Sequence, residues 1–251
     1  MFLASALAVT LIGAQGSSDW QPIHTDPLTI AAKLDATLNA LKSTRFAGKF
    51  SYEGPIGSGY LGAEAEVKSP SVYRIAFPKV GVDERDGLRW GKWVSNGRSV
   101  LTEFEKRHNE HDLSPTVKPF PGKRSLPGNV FETWFNDFAR DMLSAIGTNN
   151  KPFTAFVRGA GNKGLSIECD QRMVDVYGHQ IPYQRILVQN KVRSRQYEID
   201  IQPKFMLPTT IHNRVKTGKQ QYRSDLTGCQ WDTSKNQSFE ADDFRPKAGL
   251  P

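Results

Sequence analysis

The chain has 251 residues, 38% of them apolar and 10% aromatic, with a formal charge of +7. That composition supports a sizeable core and sits at the upper end of a single domain, so a disordered chain is excluded. Lys and Arg are mixed with Asp and Glu along the chain, so the charge favours anionic surroundings in general and names no partner.

Met1 to Gly16 carries no charge, and Phe2 to Ala14 is an apolar run ending in small residues, which predicts a secretory signal over 1–16 and a single mature domain over 17–251. A basic n-region is missing. No Cys follows for lipid attachment, and no later run is long and apolar enough to span a bilayer. The expected location is periplasmic or secreted.

Asp26-Pro27 has the form of a helix start, with Ile30, Leu34, Leu38 and Leu41 at helical spacing after it. From Arg45 the period becomes two. Phe46, Gly48, Phe50 and Tyr52 share one face, and Gly54 to Gly59 turns the chain into Leu61, Ala63, Ala65 and Val67. Ser69-Pro70-Ser71 leads into Tyr73, Ile75 and Phe77. Asn96-Gly97 joins Trp93-Val94 to Val100-Leu101 as a hairpin.

Glu105 to Gly128 has no periodicity and reads as a long loop. Val130 to Ile146 then reads as an amphipathic helix, with Val130, Trp134, Phe138 and Met142 on one stripe, widened by Phe131, Phe135 and Ile146. Further strands are expected at Phe153–Arg158, Leu165–Cys169, Met173–Tyr177, Arg185–Gln189, Gln196–Ile201, Thr209–Val215 and Tyr222–Trp231. Gly159 to Gly164 and Thr217-Gly218-Lys219 are the turns among them. The fold class expected is α+β, mainly β: a curved antiparallel sheet forming an incomplete barrel, its concave face covered by helices.

Gly57 to Gly62 and Gly159 to Gly164 each satisfy GxGxxG, but a strand follows where a dinucleotide site needs a helix. His108 and His111 around Asn109-Glu110, with Asp112, lack the spacing of a helix-borne zinc site and sit in a polar loop. His24, His179 and His212 are scattered. No nucleophile elbow, Walker sequence or tuned carboxylate pair is present, so no enzyme activity, cofactor or metal is expected. The basic-aromatic runs Lys118 to Arg124 and Lys191 to Tyr197 read as a solvated loop and a turn, with no nucleic-acid partner. Cys169 and Cys229 form either one disulfide, closing a loop of about 60 residues and contributing about 4 kcal/mol, or two separately buried thiols.

Three stretches together resemble the LolA/LolB-like periplasmic lipoprotein-carrier superfamily. The first is Val67-Lys68-Ser69-Pro70-Ser71-Val72-Tyr73-Arg74-Ile75 followed by Trp93-Val94-Ser95-Asn96-Gly97-Arg98-Ser99-Val100. The others are Tyr197 to Asp200 through Leu207-Pro208-Thr209-Thr210-Ile211, and Phe239 to Phe244-Arg245-Pro246. The resemblance implies a curved sheet with a helix-covered apolar hollow, and a role carrying or sensing acyl chains. In the lipoprotein carriers a basic residue before the strand's proline helps hold the lid closed. Here Ser69 stands there, so another apolar ligand fits as well as a lipoprotein.

The expected function is thus a non-enzymatic envelope carrier or binding protein for a lipid or acylated protein, with peripheral membrane contact allowed. Its expected lining is Phe46, Phe50, Tyr52, Leu61, Tyr73, Ile75 and Phe77 from the sheet and Trp134, Phe135, Phe138 and Met142 from the lid. The alternative is an envelope protein-interaction module on a filled barrel, meeting its partner through Glu105 to Gly128.

Overall fold

The computed structural model describes residues 19–54, 57–69, 71–77, 91–104, 116–119, 137–190 and 194–232. A short strand β1 (Gln21–Pro22) precedes helix α1 (Pro27–Ala40). α1 begins where Asp26-Pro27 places it: Oδ1 of Asp26 accepts the Leu28 N–H at 3.2 Å and Oδ2 accepts the Thr29 hydroxyl at 3.3 Å. Ile30, Leu34 and Leu38 form its buried stripe.

Six strands follow: β2 (Thr44–Gly54), β3 (Gly57–Ser69), β4 (Val72–Phe77), β5 (Gly91–Asn96), β6 (Ser99–Phe104) and β7 (Thr116–Pro119). Helices α2 (Asp137–Ser144) and α3 (Pro152–Asn162) lead to β8 (Ser166–Val176), β9 (His179–Gln189), β10 (Arg195–Gln202), β11 (Leu207–Thr217) and β12 (Gln220–Asp232). Every pairing is antiparallel, in the order β1-β8-β9-β10-β11-β12-β2-β3-β4-β5-β6-β7. The early and late strands are therefore two meanders zipped together where β12 pairs with β2. Twelve strands about 4.8 Å apart would span roughly 50 Å if flat. Yet one buried cluster joins α1 to inner side chains on eight successive strands, β8 through β12 and β2 through β4. A sheet meets that condition by curling, and this one forms an open, incomplete barrel around its helices.

Several expectations change. Phe153–Arg158 is not a strand and Gly159–Gly164 not a hairpin turn: both belong to α3 and its end. Phe153, Val157 and Ala160 fall on one helical face and are buried. A strand, β8, still follows Gly164. β8 is also one strand where two were expected, since Asp170-Gln171-Arg172 stays in the ladder with β9. β3 starts at Gly57, paired with Gly54, so the turn is shorter than Gly54 to Gly59. Within Glu105 to Gly128, β7 pairs with β6. The described helix after it runs from Asp137, then turns at 145–147.

The signal over 1–16, Val130 to Asn136, the His108 and His111 cluster and Phe239 to Pro246 lie outside the described residues. Cys169 and Cys229 are free, buried thiols. Three strands separate β8 from β12, about 19 Å along the sheet, which leaves the second alternative, two buried thiols.

Candidate ligand-binding site

Antiparallel register places opposed side chains on the same face, so the inner surface can be read strand by strand. One row runs Cys169, Ile186, Ile199, Ile211, Leu226, Phe50, Leu61 across seven strands from β8 to β3. The first six are all buried. A neighbouring part of the same face carries Phe46, Ala65 and Ile75 in register on β2, β3 and β4, with Val67 opposite Tyr73. The Phe46 ring meets Trp231 edge-on at 4.8 Å, and the Trp231 indole donates to the Pro208 carbonyl at 2.8 Å. The ring contact ties the early meander to the late one, and the hydrogen bond anchors Trp231 within the late one. Tyr73 is 1% exposed and burial pushes its phenol well above the usual range. Opposite it, the Ser95 hydroxyl donates to the Ser71 carbonyl at 2.6 Å.

The helices cover one half of this surface. α1 packs on β8, β11 and α3, and α3 packs on β8 and α2. Asp35 of α1 fastens the pair: its Oδ1 accepts the Phe153 N–H at 3.0 Å and its Oδ2 the Thr154 N–H at 2.9 Å. Met142, Leu143, Ala145 and Ile146 from α2 and the turn after it are buried in the same cluster.

Of the expected lining residues, Phe46, Tyr73, Ile75 and Met142 come together in that cluster, and Phe50 is buried in the apolar row. Tyr52, Leu61 and Phe77 occupy positions on β2, β3 and β4, and Phe138 a position on α2, but their side chains fall outside what the structure describes. Trp134 and Phe135 lie outside it entirely. Sequence reasoning missed the inner residues of the late strands, Ile186, Ile199, Ile211 and Leu226. Their signal was present as alternation, in Tyr197, Ile199 and Ile201 for example. What linked them to Phe50 was the β12–β2 pairing, which no local pattern announces.

No family model matches the chain, and no curated protein does. Among solved structures it is similar to a LolA superfamily protein from Nitrosomonas europaea, with a TM-score of 0.32 and 8% identity over 88% of this chain and 98% of that one. It is similar also to the MucA/MucB complex of Pseudomonas aeruginosa, with a TM-score of 0.37 and 12% identity over 88% of this chain and 61% of that one. A DUF1329 family protein from Desulfovibrio piger gives 0.30 and 10%, over 88% of this chain and 100% of that one. Identities and TM-scores this low leave those proteins' ligands and partners their own.

The outer face is chemically opposite. Asp170, Arg185 and Glu198 are linked, Arg185 to Glu198 at 3.4 Å, and Arg214 also reaches Glu198 at 3.4 Å. Arg172 stands 3.8 Å from Asp200, and His212 Nδ1 lies 2.6 Å from Asp225, which also pairs with Arg223. Trp20 covers the guanidinium groups of Arg172 and Arg185 at 4.6 and 4.5 Å. Burial is the main reason the Asp200 carboxyl rises to about 6, against the pull of His212 and Arg172. Burial likewise raises the Cys169 thiol to about 11 and Cys229 further. Among the described residues, no group of three His, Cys, Asp or Glu side chains is placed to hold a metal ion. Among the described residues these ion pairs thus sit on the outer face, and the inner face carries buried, mainly apolar side chains.

Proposed function

We propose that this chain is a non-enzymatic binding or carrier protein of the cell envelope that takes an acyl chain, of a lipid or an acylated protein, against the concave face of its sheet. The observation that carries this is the unbroken apolar row from Cys169 to Phe50, continued by Phe46, Ile75 and Tyr73 on the half of the sheet reached by the early meander. Each methylene moved from water onto such a surface contributes about 0.8 kcal/mol, so ten supply roughly 8 kcal/mol gross, in the range micromolar binding requires before ordering costs. The uncharged run at the start of the chain supports export to the periplasm. No helix among the described residues is long and apolar enough to cross a membrane.

Titration of purified protein with a fluorescent fatty acid tests the reading. Saturable binding is expected, and Phe138→Asp on α2 is expected to abolish it with the circular dichroism spectrum unchanged. Absence of any saturable binding by the wild-type protein would refute it.

A further inference from the structure

One inner layer away from the apolar row, toward the β11–β12 turn, the register places Tyr197, Asn213 and Ser224 side by side on β10, β11 and β12, with Tyr52 next on β2. Two residues along a strand is about 6.8 Å, so this layer lies just beyond Ile199, Ile211 and Leu226. Burial falls in the same direction. The isoleucines and Leu226 are buried, and Tyr197, Asn213 and Ser224 are half-buried. In the following layer Arg195 is exposed and Tyr222 is 45% exposed. The inner surface therefore passes from hydrocarbon-like, to neutral and hydrogen-bonding, to open.

Among the described residues the neutral layer is not internally satisfied: the Asn213 amide oxygen is buried there without a hydrogen-bond partner. A buried carbonyl oxygen left alone is costly, and a site built around one favours a group that donates to it over an otherwise identical group that cannot. The Tyr197 phenol and Ser224 hydroxyl flank it in register and can each donate or accept.

We propose that Tyr197, Asn213 and Ser224 form a polar collar that grips the first polar group of the ligand, an uncharged hydroxyl or amide N–H at the end of the acyl chain, with Asn213 Oδ1 as the acceptor. This rests on the acyl-chain reading above. It adds that the chain lies inward along the Ile199–Ile211–Leu226 layer and the head group faces the β11–β12 end. Because the collar is uncharged, specificity comes from the donor and not from net charge.

The test is displacement of the bound fluorescent fatty acid by monododecanoylglycerol, whose hydroxyls donate, and by methyl dodecanoate, which has the same chain and only accepts. The wild-type protein should favour the glycerol ester by about tenfold, the worth of one buried hydrogen bond. Asn213→Leu should bring the ratio close to one, and Ser224→Ala should reduce the ratio less. Equal binding of the two esters by wild type, or an unchanged ratio in Asn213→Leu, overturns the collar while leaving acyl binding intact. Failure of both esters and of the fluorescent probe overturns acyl binding, and the collar with it.

Discussion

Replacing Asp35 with Ala should detach α3 from α1 more severely than any other single change among the polar residues of the helical layer. The side chain is 2% exposed, and its two oxygens take the Phe153 and Thr154 N–H groups at 3.0 and 2.9 Å. These are among the orphan donors of the first turn of α3, and Lys151, at the N-cap position, makes no side-chain cap bond. Truncation leaves two buried N–H groups with no acceptor, at about 1–3 kcal/mol each, and relief from holding a buried carboxylate offsets part of that. The net expectation is a loss of about 3 kcal/mol for Asp35→Ala and about 1–2 kcal/mol for Asp35→Asn, which keeps one acceptor. Urea unfolding followed by far-UV circular dichroism measures both. If Asp35→Ala unfolds within about 0.5 kcal/mol of wild type, the bridge is not what holds α3 in place.

Tyr177 and Gly178 form the two-residue β8–β9 turn with φ of 54° and 79°, and Tyr177 is 75% exposed, so Tyr177→Asn should relieve left-handed strain without losing packing. A stabilisation of about 1 kcal/mol, or a Tm rise of about 2–4 °C by calorimetry, is expected. Asp200 holds its proton more tightly folded than unfolded, because its carboxyl is raised to about 6 from 3.8. Its contribution is therefore most favourable below about pH 4 and is lost as pH rises through 6. Asp200→Asn should gain on wild type by on the order of 3 kcal/mol between those limits, read from urea midpoints across pH; a constant difference would refute this. Cys169 and Cys229 should both resist a thiol reagent in the native protein and both react in denaturant without reductant. A mass two hydrogens lighter than the reduced chain would contradict that.

The elements legible in the sequence were those whose determinants are local. Asp26-Pro27 starts α1 because cap and first-turn proline are adjacent, and Asn96-Gly97 makes its hairpin because Gly97 takes a φ of 85°. The alternation Phe46, Gly48, Phe50 is the inner face of β2 as read. α3 was misread because Phe153, Ala155 and Val157 alternate as in a strand while Phe153, Val157 and Ala160 also fit a helix. Asp35, the group that settles the matter, lies 118 residues earlier. Polar Asp170 and Arg172 made β8 look interrupted, because they face the outer charge network and not solvent alone. The candidate site was half legible for a related reason: Phe46, Phe50, Tyr73 and Ile75 were marked by period two, but the late-strand half of the same surface is joined to them only through the β12–β2 ladder.

Native mass spectrometry of the protein purified without detergent, with organic extraction of the same sample, tests acyl binding most directly. A single acyl-bearing molecule bound per chain, released by the solvent and absent from a Phe138→Asp preparation, is the predicted result. A chain mass with nothing attached, an empty extract and no uptake of added fatty acid would contradict it.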